Sequence, residues 1–390
     1  MQNQNCVILK PGKEKAIRNR HHWIFSGAID RYPEFSNGAL LPVHSTSGDL
    51  LGSAYFNRNC NIAGRMVAFD ATPPMDAIKK NLDAAIAMRT ALFDPKKTNA
   101  YRLVNGEGDL LPGLVVDRYA DLLVIQLSTL GMDLLRNWIV DYLVKKLRPR
   151  SIYEKSLIPS RKEEGLPQQE GFLYGEALDT VTVLENNLHF LISPKEGQKT
   201  GFFLDHREMR KWVGTLSAGK RVLNCFSYTG AFSVYANAGH ATQVDSVDIS
   251  ASAVELSKHN MALNKGSATT AFYAEDVFQF LRDRPLNYDL IILDPPAFAK
   301  RQKDVIAACR GYKDINRLAM QRMPPQSLLL TSSCSYHVDA ALFQKVIFQA
   351  ACEAGKTVRI IGYHRLASDH PINICHPEGD YLKSLLLYIE

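Results

Sequence analysis

Cysteine is scarce and irregularly placed: Cys6, Cys60, Cys225, Cys309, Cys334, Cys352 and Cys375 are the only seven in 390 residues. An odd, scattered set without C-x-x-C spacing indicates neither a disulfide framework nor a zinc site, so a reducing cytoplasm is the expected compartment. The amino terminus MQNQNCVILKPGKEK lacks the apolar core of a secretory signal, and no run of about 18 apolar residues is present to span a bilayer. Internal repeats and low-complexity tracts are also missing. Nor is the charge strongly one-sided. The 46 basic and 40 acidic residues leave +6, which suits a nucleic-acid partner without requiring one. A chain of this length holds two or three domains, each with its own core.

What is present is organised around Lys220–Lys300. A short apolar strand ends at Phe226, turns through Ser227-Tyr228-Thr229-Gly230 and enters a helix at Ala231. A second strand, Val244–Val247, delivers Asp248; a third, Thr269–Ala274, delivers Glu275 and Asp276; a fourth, Tyr288–Leu293, delivers Asp294. Strands that end in a glycine turn or an acid, each followed by a helical pattern, describe an open parallel α/β sheet with its ligand at the carboxyl edge. Further on, strand Ser327–Leu330, helix Val338–Ala354, strand Thr357–Gly362 and strand Tyr381–Ile389 follow. The loop Leu366–Gly379 holds no helix, so the last two strands are expected to pair antiparallel. A seven-stranded sheet ending this way is the class I methyltransferase plan.

The glycine turn lacks the full G-x-G-x-x-G spacing and is weak by itself. Asp248 is placed to bind both hydroxyls of a ribose, as in NAD and S-adenosylmethionine sites alike. Asp276 is placed to accept from an adenine amino group, with Val277 or Phe278 over the ring. Each acid alone has a bland alternative as a helix N-cap. After Asp294, Pro295 and Pro296 cannot donate backbone hydrogen bonds, which leaves carbonyls to accept from a substrate. Upstream, GQKTGFFLDHR (197–207) reads as a cap over the cofactor, with Lys199, Thr200, Asp205 and Arg207 as polar contacts and Phe202 or Phe203 as an aromatic wall. Its alternative is a loop that packs two phenylalanines under the sheet edge.

The first seventy residues read as short strands, Val7–Leu9, Leu40–Val43 and Leu51–Phe56, separated by turns. Lys10, Lys13, Lys15, Arg18 and Arg20 precede HHWIF (21–25), cations beside aromatics that could meet phosphates and stacked bases. A solvated basic helix with Trp23 and Phe25 in the core is the alternative. DATPP (70–74) is the expected linker. Met75–Phe93 reads as a helix whose apolar face is Ile78, Leu82, Ala85, Ile86, Met88 and Leu92. A central α/β segment from Tyr101 to about Asn187 has strand Leu122–Leu127, helix Met132–Lys146 and strand Ser151–Glu154. The charged stretch Ser160–Gly171 reads as an exposed mobile loop. Lys303–Arg322 is a helix with Ile306, Ile315, Leu318 and Met323 along one side. The expected domains are 1–72, 73–190 and 191–390.

The segment KPGKEKAIRNRHHWIFSGAI resembles the opening of a PUA domain, an RNA-binding module. HHWIFSG, VNGEGDLLPGLVVDRY, GQKTGFFLDHR, NCFSYTGAFS, VDIS, DPPAFAK and SSCSYH, in this order, resemble the ribosomal RNA large subunit methyltransferase I family along nearly the whole chain. The resemblance implies an N-terminal PUA domain, a central domain and a Rossmann-like domain that transfers methyl from S-adenosylmethionine to carbon 5 of a cytosine in 23S rRNA. It places Phe226, Ser227, Tyr228, Thr229 and Gly230 on the methionine part, Asp248 with Ile249 and Ser250 on the ribose, and Asp276 with Val277 on the adenine. Asp294 and Pro295 fall at the methyl-transfer site, and Cys334 becomes the nucleophile. Other RNA cytosine-5 methyltransferases carry a second cysteine after the Asp294-type proline; here that position is Pro296. Lys10, Lys13, Arg18, Arg20 and Trp23 become the RNA contacts, no metal is implied, and 23S rRNA or a large-subunit precursor is the expected partner, a homodimer being left open. Two other readings remain at this point. One is methyl transfer to an exocyclic base nitrogen through Asp294-Pro295-Pro296, the other a non-catalytic RNA-binding assembly factor.

Overall fold

A computed structural model describes residues 5–390. The chain divides into two compact units. One takes in the chain up to Leu184 together with Ile192–Leu204 and Ser368–Gly379; the other comprises Glu185–Leu191, Asp205–Ala367 and Asp380–Glu390. No described helix is long and apolar enough to cross a membrane.

The second unit is built on a seven-stranded sheet. Its strands in chain order are β1 (Arg221–Cys225), β2 (Gln243–Asp248), β3 (Thr269–Ala274), β4 (Leu290–Leu293), β5 (Ser327–Ser333), β6 (Val358–His364) and β7 (Lys383–Ile389). Across the sheet they run β3-β2-β1-β4-β5-β7-β6. The first five are parallel, and β7 lies antiparallel to both β5 and β6. Both faces are covered, as the apolar runs demand. Leu223, Ile291, Leu293 and Leu329 pack with Tyr312, Ile315 and Phe343 of the helices Val305–Arg322 and Ala340–Ala354. Their alternating neighbours Val222, Leu290, Ile292 and Leu330 pack with Met209, Val213 and Phe232 on the other face. Strand β5 extends beyond the expected Leu330 because β7 pairs with it residue for residue, from Ser327↔Ile389 to Ser333↔Lys383. Ile306 does not join the buried side of its helix and is 70% exposed.

The first unit carries two sheets. A six-stranded sheet orders Trp23–Phe25, Ile62–Ala68, Leu50–Phe56, Leu40–His44, Val7–Leu9 and Ile29–Arg31; a five-stranded one orders Gln169–Gly175, Ser151–Ser156, Leu122–Leu127, Leu114–Tyr119 and Ala100–Asn105. The helix Pro74–Leu92 buries Ile78, Leu82 and Ala85, whereas Met88 and Leu92 are exposed. The helix expected over 132–146 is two, Leu130–Leu134 and Arg136–Leu147, separated at Leu135 (φ −89°, ψ 2°).

The charged stretch Ser160–Gly171 is exposed over most of its length, as its composition suggests, but it is not an irregular loop. It contains the helix Pro159–Glu163 and begins the strand Gln169–Gly175. Buried Arg161 donates to the carbonyls of Pro167 and Leu127 and to Asp133, and buried Glu164 accepts from Arg65 and Asn57. These charges are internal braces, satisfied by backbone and by each other, which is how buried charge is tolerated.

The second unit holds a similar brace. Glu185 is fully buried and accepts both arms of the Arg210 guanidinium at 2.7 and 2.6 Å, with Arg207 Nε 3.4 Å away and the Tyr235 hydroxyl donating at 3.1 Å. Replacing Glu185 with alanine leaves buried guanidinium charge without its carboxylate, a loss of about 3–5 kcal/mol. Urea unfolding of Glu185→Ala checks this; a change below about 1 kcal/mol shows the pair is dispensable.

Candidate active site

Parallel strands β1, β2, β4 and β5 end at a common edge, and the turn after β1 is wound tightly there. Phe226, Tyr228 and Gly230 all have positive φ (59°, 46° and 75°). Non-glycine residues in this region store strain of about 1–3 kcal/mol each, and such strain collects at functional sites. At Gly230 a side chain is excluded twice over, since a Cβ would come within 2.0 Å of Ser257 Oγ. Hydrogen bonds hold the turn: Ser227 N–H donates to Val247 O (3.0 Å), Gly230 N–H to Ser227 O (2.8 Å), and Asn260 Nδ2 to Thr229 O (2.9 Å). Asp248 ties it to β2, one carboxylate oxygen accepting from Tyr228 N–H (2.8 Å) and the other from Ser250 N–H (2.9 Å). Ser227 Oγ and Thr229 Oγ1 are buried with no hydrogen-bond partner, a cost that a polar ligand in the turn would remove. The turn therefore has unmet hydrogen-bonding capacity that suits a polar ligand such as S-adenosylmethionine.

Ile249 is 74% exposed, and Ser250 caps the helix Ala251–Ala262 by accepting from Ala253 N–H. Asp276 is exposed and caps the helix Val277–Asp283 through Gln279 N–H (3.0 Å). The cap engages one oxygen, and a carboxylate has about four acceptor sites, so capping and adenine recognition are compatible. Val277 is buried among the core residues, while Phe278 is only partly buried. A ring cover therefore falls more naturally to Phe278.

Asp294 directly follows β4. Its Oδ1 lies 3.3 Å from Nε2 of His206, a buried histidine at the start of the helix Arg207–Leu216. Burial disfavours the imidazolium, but the charge and hydrogen bond of Asp294, with the charge of Asp205, outweigh that burial and an opposing Arg210, so the His206 pKa is raised. His206 escaped the sequence reading, although Asp205 and Arg207 on either side were singled out. Asp205 accepts from the Tyr381 hydroxyl (2.6 Å). Cys334 is the first residue after β5, half-buried, with Sγ 4.0 Å from Pro295 O. Cys225 lies within β1, fully buried, and burial raises its thiol pKa far above the ordinary range. Ser335 Oγ accepts from Ala299 N–H (3.0 Å) and bonds the Tyr312 hydroxyl (2.9 Å), fixing the segment after Cys334 against the one after Pro296.

In the first unit, Thr200 donates to Asp117 (2.5 Å) and lies 3.0 Å from the Tyr119 hydroxyl. Lys199 Nζ sits 4.4 Å over the Phe203 ring, and Phe202 is buried. Lys10, Lys13, Arg18 and Arg20 are exposed. Lys10 Nζ donates to Gly27 O and Arg18 pairs with Asp49. Lys13, Trp23 and Phe25 line a groove of about 300 Å³. Trp23 is partly buried and donates to Glu107 (2.9 Å), and Phe25 is the more exposed ring. His21, His376 and Glu378 present ligand atoms within 4.8 Å of one another. Trp23 N–H donates to His21 Nδ1, which leaves the His21 proton on Nε2 facing Glu378 at 3.1 Å, so a proton already closes that pair.

The sheet order and the acid-bearing edge define a class I methyltransferase. A family described as S-adenosylmethionine-dependent methyltransferase matches residues 166–357, and a PUA-like domain matches residues 7–69. Similar proteins include the ribosomal RNA large subunit methyltransferases I of Tolumonas auensis (42% identity, 98% of this chain and 98% of that one) and Shewanella amazonensis (41%, 97% and 98%). Among solved structures, the methyltransferase SMU.776 complexed with SAH superposes with a TM-score of 0.84 at 26% identity over 98% of this chain and 99% of that one. The chain belongs to the ribosomal RNA large subunit methyltransferase I family, and its cofactor is S-adenosylmethionine.

Because the folded-state pKa of His206 is raised above its unfolded value, the stability from its pairing with Asp294 is complete below about pH 6.5 and fades as pH rises through the raised pKa. The stability difference between wild type and His206→Gln is expected to be largest near pH 6 and smaller at pH 9. Urea titrations at the two pH values measure it, and a difference that grows with pH contradicts the pairing.

Proposed function

We propose that this enzyme methylates carbon 5 of a cytosine in 23S rRNA, free or in a large-subunit precursor, with Cys334 as nucleophile and Asp294 as the group that orients the base. The observation that carries this reading is the meeting of the β4 and β5 ends, where Cys334 Sγ approaches Pro295 O beside Asp294. Bound S-adenosylmethionine supplies a methyl group on a sulfonium, a strong electrophile. Carbon 5 of cytosine is too poor a nucleophile to take it unaided. The Cys334 thiolate adds to carbon 6, forming a C–S bond and enriching carbon 5 in electrons. After the methyl is in place, a base removes the carbon 5 proton, and the electron pair left behind expels the thiolate from carbon 6.

His206 holds one oxygen of Asp294, which leaves the other to accept from the cytosine amino group. The proline pair contributes by what it lacks, since neither residue has an N–H to compete for the base. The target must leave its stack to reach the thiolate, so an unpaired cytosine is expected. In the cofactor site, Asp248 would bind the ribose with Ile249 and Ser250 alongside, Asp276 the adenine with Phe278 over the ring and Val277 behind it, and 226–230 the methionine part. Asp205 and Arg207 are proposed as further cofactor contacts.

Substrate RNA carrying 5-fluorocytidine blocks the final proton loss and should trap a covalent protein–RNA adduct with wild type and none with Cys334→Ser. Methylation by Cys334→Ser at a comparable rate, or a product methylated on the exocyclic amine, replaces this reading with nitrogen transfer through Asp294-Pro295-Pro296.

The PUA-like segment is proposed to add RNA affinity through Lys10, Lys13, Arg18, Arg20 and Trp23. The exposed Arg18–Asp49 pair is weak in water and exchangeable for a phosphate. Neutralising Lys13, Arg18 and Arg20 together should lower the log–log salt slope of RNA binding by roughly 2–3, at about 0.7–0.9 per phosphate contact. A slope equal to that of wild type makes the patch a solvated face.

A further inference from the structure

Strand β7, KSLLLYI, opens with a cation at the head of an otherwise apolar run. Lys383 pairs in register with Ser333, the residue before Cys334, and its Nζ donates to the carbonyl of Ser335, the residue after it, at 2.5 Å. A second bond goes to Tyr381 O at 2.9 Å. The side chain is buried, and both of its hydrogen bonds go to neutral carbonyls. Two carbonyls satisfy two of the three ammonium donors, but they do not supply a negative charge. A buried ammonium without one is costly.

Burial pulls the Lys383 pKa down and Arg365 adds to that, while Cys334 foremost and then Asp339 act in favour of the ammonium, leaving the group at about 8. The Tyr312 hydroxyl also feels Cys334, and burial raises its pKa so that it stays neutral. Chain connectivity makes the arrangement rigid. Ser335 is bonded to Lys383 through its carbonyl and to Ala299 and Tyr312 through its hydroxyl, so the lysine and the thiol cannot easily drift apart.

We infer that Lys383 is a positioning residue for the nucleophile, its buried ammonium serving as the counter-charge that keeps Cys334 a thiolate. The inference rests on the reading of Cys334 given above and adds how the thiol is made reactive. The proton is conserved: a neutral amine and a thiol become an ammonium and a thiolate, with no other reactant. Once the sulfur has bonded to carbon 6 the ammonium loses its counter-charge, and expelling the thiolate restores it. The same residue thus favours both the start and the end of the cycle.

The test is alkylation of Cys334 by iodoacetamide between pH 6 and 10, read by mass spectrometry of the Cys334 peptide in the absence of RNA. In wild type the rate is expected to inflect below the ordinary thiol value of about 8.5. Lys383→Met should slow alkylation at pH 7 by about tenfold, the equivalent of one pKa unit, while Lys383→Arg stays near wild type; calorimetric S-adenosylmethionine binding verifies that each variant is folded. Superimposable profiles for wild type and Lys383→Met overturn the inference. A wild-type inflection at or above 8.5 overturns it without any variant, even where the 5-fluorocytidine adduct forms. A depressed inflection that depends on Lys383 supports it even where no adduct forms.

Discussion

A parallel strand can only be re-entered from its far end, so every parallel strand in a sheet finishes at the same edge. The second unit depends on this constraint. Residues far apart in sequence, Gly230, Asp248, Asp276, Asp294 and Cys334, fall along one rim because each stands within a few residues of a strand's carboxyl end. The antiparallel β7 is the informative exception. It runs against β5, so its beginning rather than its end reaches the rim, and that is why Lys383, its first residue, stands beside Ser333.

The acids at the rim are held in three different ways. Asp248 is braced by two backbone N–H groups, which fixes both its oxygens before any ligand arrives. Asp276 is exposed and spends one oxygen on a helix cap. Asp294 is paired with a buried, protonatable histidine. A braced carboxylate loses little entropy on binding, the condition for preorganised recognition, whereas the partner of the third acid is a histidine that changes charge with pH. Strain points the same way: the positive φ values at Phe226 and Tyr228 flank the turn beside Asp248, and the two N–H bonds to that acid help to hold it.

Much of this was legible in the sequence because continuous apolar runs followed by an acid carry a strong signal. The strands 269–274 and Leu290–Leu293 lie within one or two residues of expectation, and the antiparallel final pair follows from the lack of any α-helix between 366 and 379, where only the short 3-10 turn Pro377–Gly379 occurs. Three features were not legible, each for the same physical reason. Arg161 and Glu164 lie in a charged stretch that reads as an exposed loop, and nothing in the local sequence marks His206 or Lys383. Whether a charged residue is exposed depends on partners remote in sequence: Glu164 meets Arg65 and Asn57, His206 meets Asp294, and Lys383 meets Ser335. Local periodicity carries no information about such partners. Ile306 is the converse case, an apolar residue at helical spacing that falls on the exposed side.

The two cysteines near the rim show how small a displacement separates packing from chemistry. Cys225 is the last residue of β1 and Cys334 the first after β5. Within the strand, the Cys225 side chain is enclosed by core and its thiol is held neutral by burial alone. One residue past a strand end, the backbone is released from the ladder, and Cys334 is half-buried and close to a proline carbonyl. A thiol needs partial access and a neighbouring positive charge to become a nucleophile. On the proposed reading, both conditions would be met where β5 ends and the antiparallel β7 begins, so the reactive position would be set by the pairing of these strands as much as by the cysteine itself.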